Sequence, residues 1–147
     1  MPEPSIPDLI DKFWESVPAA WHQTRACIRQ VAAERFQLTV EQFQVLRRIR
    51  RGSTSVSALA QANRTSRSSV SKAVDSLVQK GLVSRSHDPQ DRRNIPLDLT
   101  PEGQRVLSAI FEQAENWLAA HFSRLPPAQR TRLLQGMDLL QAAFSEE

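Results

Sequence analysis

Thr65-Ser66-Arg67-Ser68-Ser69-Val70-Ser71-Lys72-Ala73-Val74-Asp75-Ser76-Leu77-Val78-Gln79-Lys80-Gly81 is the stretch on which the reading of this chain turns. Val70, Ala73, Val74 and Leu77 recur three and four apart, which puts them on one face of a helix. Arg67, Ser68, Ser71 and Lys72 fall on the outer side or flanks of its first two turns. Gly81 supplies a stop just past its end, and the start falls at Ser66 or Arg67. Upstream, Ser57 is expected to cap a brief helix over Ala58 to Ala62, packed through Leu59 and Ala60. Asn63-Arg64-Thr65 is then a turn, and two helices of these lengths joined this way form a helix-turn-helix. The Arg, Ser and Lys side chains on the free face of its second helix are groups that reach into a nucleic-acid groove.

Working outward, Leu82 to His87 and Asn94 to Leu99 read as two short strands of mixed apolar and polar character. Pro96 implies an edge position, because proline has no N–H to donate to a ladder. Asp88-Pro89-Gln90-Asp91-Arg92-Arg93 between them is a charged turn, and a hairpin directly after a DNA-reading helix is a wing. On the other side, Thr39 with Gln42 is a capping box. It opens a helix carrying Phe43, Val45, Leu46 and Ile49 that ends near Arg51-Gly52. The arginines at its end suit the negative end of a helix dipole. Ser53-Thr54-Ser55 reads as a linker with a short extended piece at Val56.

Long helices flank this module. Ser5 with Asp8 forms a capping box for a first helix over about 6–36, which Pro18 is expected to kink or restart. Thr100-Pro101-Glu102 opens another, running to about Ser123. Pro126-Pro127 breaks it, and a last helix follows over about 127–144. These helices hold more apolar surface than a small winged helix needs, and a helical dimer interface is the simplest use for the surplus. The expected fold class is therefore mainly α: a winged helix-turn-helix with a small β-hairpin wing and N- and C-terminal dimerisation helices. It forms one domain over residues 1–147, with the DNA-binding lobe at 39–100 and the helical dimerisation region at 5–37 and 101–145.

Composition narrows the function classes. The chain has 147 residues, 40% hydrophobic and 24% charged, which is ordinary for a soluble globular domain. Its apolar runs are too short to span a membrane, and Met1-Pro2-Glu3-Pro4-Ser5 lacks a secretory signal pattern. Cys27 stands alone, so a reducing cytoplasm is expected, with the thiol buried and inert. His22, His87 and His121 sit on separate elements without a paired spacing, so no metal site is expected. No cofactor is implied. The four glycines make no phosphate-binding loop, and no nucleophile elbow or zinc-protease motif occurs, so the chain is not read as an enzyme. Between Glu41 and Thr100 there are 11 basic residues against 5 acidic, whereas the rest of the chain holds 8 against 11. A basic middle between acidic ends is the expected footprint of a module that meets phosphate.

The order and spacing of these features resemble the MarR family of bacterial transcriptional regulators. The resemblance rests on Leu38-Thr39, Gln42-Phe43, Val45-Leu46, Leu59-Ala60, Val70-Ser71, Val74 and Leu77. It continues through Lys80-Gly81-Leu82-Val83, Arg85, Asp88, Asp91-Arg92-Arg93, Leu99-Thr100 and Gly103. It implies a homodimer that binds a pseudo-palindromic operator, usually as a repressor, and that often releases DNA on binding a small phenolic or anionic ligand. It also implies that Asp91 holds Arg93, which reaches into the minor groove.

Taken with the residue chemistry, Arg67, Ser68 and Lys72 are the expected base-edge contacts, since the first turns of a recognition helix point into the major groove. Arg64, Thr65 and Ser71 suit phosphates. Arg93, with Arg92, suits a narrow minor groove. The family's ligand cleft lies between the dimer helices and the DNA-binding lobe, and Trp14, Trp21, His22 and Arg25 are the candidates to line it. Expected partners are double-stranded operator DNA, a second copy of the chain and a small aromatic or anionic effector. The competing reading is a non-specific or nucleoid-associated DNA-binding protein on the same fold.

Overall fold

The computed structural model describes residues 2–86 and 95–145. Its elements run α1 (Ile6–Phe36), α2 (Val40–Arg50), α3 (Val56–Asn63), α4 (Arg67–Gln79), β1 (Val83–Arg85), β2 (Leu97–Leu99), α5 (Pro101–Phe122) and α6 (Pro127–Ala143). Caps set most of these boundaries. The Ser5–Asp8 and Thr39–Gln42 boxes are both formed. Thr100 caps α5, accepting from Gly103 N at 3.0 Å. α1 continues through Pro18 as one helix.

Two expected boundaries are corrected. Ser55, not Ser57, caps α3: its hydroxyl accepts from Ala58 N at 3.1 Å, so Val56 is helical rather than extended. The earlier start lets Val56 pack against the core beside the fully buried Leu59. The strands are also shorter than the apolar pattern suggested. The described ladder pairs Val83 with Leu99, Ser84 with Asp98 and Arg85 with Leu97. Pro96 stands just before β2, where its carbonyl accepts from Ser86 N at 3.0 Å. Leu97 N donates outward to Thr54 O at 2.9 Å, so the segment leading into α3 ties onto the free side of β2. His87 and Asn94 lie outside the described residues.

The core sits where α2, α3, α4, the hairpin and the first half of α5 meet. Leu46, Leu59, Leu77, Leu97, Leu107 and Ile110 are fully buried there. A polar interlock fixes α4 against the end of α1. Lys80 Nζ donates to Gln37 O at 2.8 Å and to Gln42 Oε1 at 3.4 Å, while Gln42 Nε2 donates to Ser76 Oγ at 2.9 Å. α6 contributes nothing to this core. Leu134, Leu139 and Phe144 are 62%, 72% and 71% exposed, and Ile6, Leu9 and Trp14 at the start of α1 are exposed as well. Phe13 and Phe144 stack at 6.0 Å, joining the two apolar ends into one surface.

Candidate nucleic-acid interface

α4 is built to turn one face inward and leave the other open. Ser66 caps it, accepting from Ser69 N at 3.1 Å, and Gly81 at φ +73° ends it. Val70, Ala73, Val74 and Leu77 are buried, whereas Arg67, Ser68 and Lys72 are exposed and Ser71 is half-buried. The preceding turn is made by Arg64, whose φ of +52° is left-handed. That conformation is strained for a residue with a Cβ. It reverses the chain within one residue and leaves the Arg64 side chain exposed next to the half-buried Thr65. Six of the sequence-predicted DNA residues thus lie along the turn and the outward face of α4. Basic groups beside the first turn of a helix suit phosphate, because the helix N-terminus adds its own partial positive charge.

The root of the wing is tied to this helix. The Arg85 guanidinium on β1 bonds the Asp75 carboxylate on α4, and both side chains are substantially exposed. Such a pair adds little stability, but it fixes the direction in which the hairpin leaves the helix. Asp91, Arg92 and Arg93 lie outside the described residues.

Beside this face a cleft of about 290 Å³ opens between α1, α2 and the end of α3. Its apolar wall is Trp21, Ile28, Val40 and Phe43. Its charged wall is Arg25, Arg29, Arg47, Arg48 and Arg64. Of the four residues expected to line an effector site, the structure brings Trp21 and Arg25 to this cleft and leaves Trp14 and His22 off it. Arg25 lies over the Trp21 ring, 6.0 Å from its centre. Arg47 Nε, Arg48 Nε and Asn63 Nδ2 are buried there with no hydrogen-bond partner among the described residues. The Arg47 guanidinium is held below its ordinary pKa, by burial first and then by repulsion from Arg51, Arg48 and Arg25.

The helix dipole alone accounts for the arginines at the end of α2 as a local pattern, and Arg29 is not among the residues expected at a site. The i, i+4 spacing of Arg25 and Arg29 was the available signal that α1 presents a basic stripe. That α2 supplies a second stripe facing it is a tertiary fact. Arg50 goes elsewhere, lying 5.1 Å from the centre of the Phe111 ring. Among the described residues no group of three or more His, Cys, Asp or Glu side chains is placed to hold a metal, and no helix is long and apolar enough to cross a membrane.

Comparison with known proteins agrees with this architecture. The MarR family model matches residues 38–95, the segment from just before α2 to just before β2. A putative transcriptional regulatory protein for the hcr operon of Thauera aromatica is 44% identical over 93 residues, covering 63% of this chain and 55% of that protein. The transcriptional regulator HosA of Escherichia coli O111:H- is 34% identical over 122 residues, covering 79% and 90%. The chain spans a little over half the length of the first curated relatives it matches, 58% and 55%. Among solved structures, the multiple antibiotic-resistance repressor of Listeria monocytogenes 4b F2365 superposes with a TM-score of 0.83 at 18% identity, covering 98% of this chain and all of that one. The chain belongs to the MarR family of transcriptional regulators and carries that family's DNA-binding fold.

Proposed function

We propose that the protein is a homodimeric, ligand-responsive repressor that holds a pseudo-palindromic operator with one α4 from each copy. The observation that carries this reading is the outward face of α4, where Arg67, Ser68 and Lys72 stand exposed behind a fully apolar buried face. In this reading those three residues meet base edges. Arg64, Thr65 and Ser71 meet backbone phosphates, which supply affinity and register but no sequence information. Arg93, supported by Asp91 and flanked by Arg92, adds a minor-groove contact. A second copy covers the exposed apolar surface of α6 and of the start of α1. A small aromatic or anionic effector occupies the cleft beside Trp21 and Arg25, and its binding lowers affinity for the operator.

Gel-shift titration on the promoter next to the protein's own gene tests the assignment. Lys72→Ala should change which sequences are bound, whereas Arg64→Ala should weaken all sequences alike and lower the salt dependence by about one counterion. Arg93→Ala should cost about 1–3 kcal/mol of operator binding. Unchanged affinity and unchanged preference in all three variants would rule the assignment out.

A further inference from the structure

The cleft holds a stronger statement about its ligand than "aromatic or anionic". Five arginines line it and no carboxylate does. Among the described residues, none of the five takes part in a salt bridge: the pairs are Lys12–Glu15, Arg85–Asp75 and Arg105–Glu102. Like charges gathered in a partly desolvated space repel, and Arg47 is held below its ordinary pKa by burial first and by neighbouring arginines second. One bidentate arginine suffices for one carboxylate. A monocarboxylate would compensate one of the five charges, a dianion two. A tetrahedral group with two charges and three terminal oxygens offers acceptors in several directions to the guanidinium groups that α1 and α2 bring to the cleft. Against it stands the Trp21 ring, 56% exposed, with Arg25 over it, a surface that a flat group can cover. The size argues for a small molecule as the occupant, because about 290 Å³ is too small to admit a duplex, which could touch only the lip of the cleft.

Resting on the effector reading above, we propose that the cleft takes a flat, aromatic dianion of the phosphate-ester type, with its doubly charged group among Arg25, Arg47 and Arg48 and its ring against Trp21. Arg64 on the lip of the same cleft is also an assigned phosphate contact of the operator, so the ligand and the DNA draw on one side chain.

The test is calorimetric titration of the full-length protein with phenyl phosphate, benzoate and inorganic phosphate at about pH 8, where a phosphate monoester is almost fully doubly charged. Phenyl phosphate should bind about tenfold or more tightly than benzoate, which lacks the second charge, and than phosphate, which lacks the ring. Arg47→Gln should remove the preference over benzoate. Arg25→Gln, at an exposed position that the fold does not need, should do the same. Trp21→Ala should remove the preference over inorganic phosphate. Benzoate or inorganic phosphate binding as tightly as phenyl phosphate overturns the proposal, as does an absence of binding. Gel shifts on the same preparations separate the two levels. Operator binding without phenyl phosphate binding sinks the ligand class and leaves the regulator standing, whereas loss of operator binding in the wild type sinks the regulator itself. If Arg25→Gln and Arg47→Gln instead weaken DNA binding and flatten its salt dependence while phenyl phosphate does not bind, the arginines form a DNA-backbone surface and the proposal is wrong.

Discussion

At the scale of single residues, the fold depends on a few positions that make no contact with any ligand. Gly103, in the first turn of α5, is buried. A Cβ built there would lie 2.1 Å from the Leu82 carbonyl oxygen, a backbone atom that cannot swing away. Gly103→Ala must therefore push α5 off the root of the wing. We expect a loss of about 1–3 kcal/mol or more in denaturant unfolding, the usual range for overpacking. Gly81 is the instructive contrast. Its φ is +73° with open space around the would-be Cβ, so Gly81→Ala should cost only the left-handed strain, about 1–2 kcal/mol. The sequence revealed the second glycine as a helix stop but gave no physical reason for the first. An ordinary helical φ leaves no mark in the pattern, and a backbone-to-backbone approach across 21 residues shows only in three dimensions. The same asymmetry runs through the candidate site. Arg67, Ser68 and Lys72 were legible because helical periodicity alone says which face is free. Arg47 and Arg48 were not, because the cleft they line is closed by a separate helix, α1, whose placement against α2 no local pattern shows.

At the scale of elements, the helix starts were largely readable because a cap is a local interaction. Ser5, Thr39, Ser66 and Thr100 each accept from the N–H three residues on. The one misplaced cap shows the limit of that logic. Ser55 and Ser57 are both good caps, and the choice between them falls to the packing of Val56. Connections between elements are harder to foresee. Gln42 closes the Thr39 box, bonds Ser76 on α4 and meets Lys80, which itself reaches the carbonyl of Gln37 at the end of α1. One side chain thus links the end of the long first helix to α4. Gln42→Ala should lower stability by about 1–2 kcal/mol through the lost cap and interhelical bond. It should also broaden the NMR signals of the α4 backbone more than those of α5. An unchanged α4 spectrum would mean that apolar packing alone fixes this helix.

At the scale of the whole molecule, a single copy leaves too much apolar surface bare. α6 has 17 residues and buries none of them, and a helix of that kind has little to hold it in water without a packed face. Leu133, Leu134, Met137, Leu140 and Phe144 stand open together with Ile6, Leu9, Ile10 and Trp14. Leu134→Glu with Leu140→Glu should shift the protein toward monomer in sedimentation velocity. Operator affinity should fall with it, although both positions lie outside the DNA-binding lobe. Under the proposed function, pairing is also what would give a serine-rich reading face its specificity. On that reading each α4 alone would offer few base contacts, and a fixed spacing between two copies would add the information that the side chains lack. The most direct test is selection of binding sequences from random duplex DNA by the wild-type protein. The account predicts an enriched dyad whose half-sites are centred about one helical turn, ~10 bp, apart. A pool with no enriched dyad, bound with an affinity accounted for by the salt-dependent phosphate term alone, would contradict it.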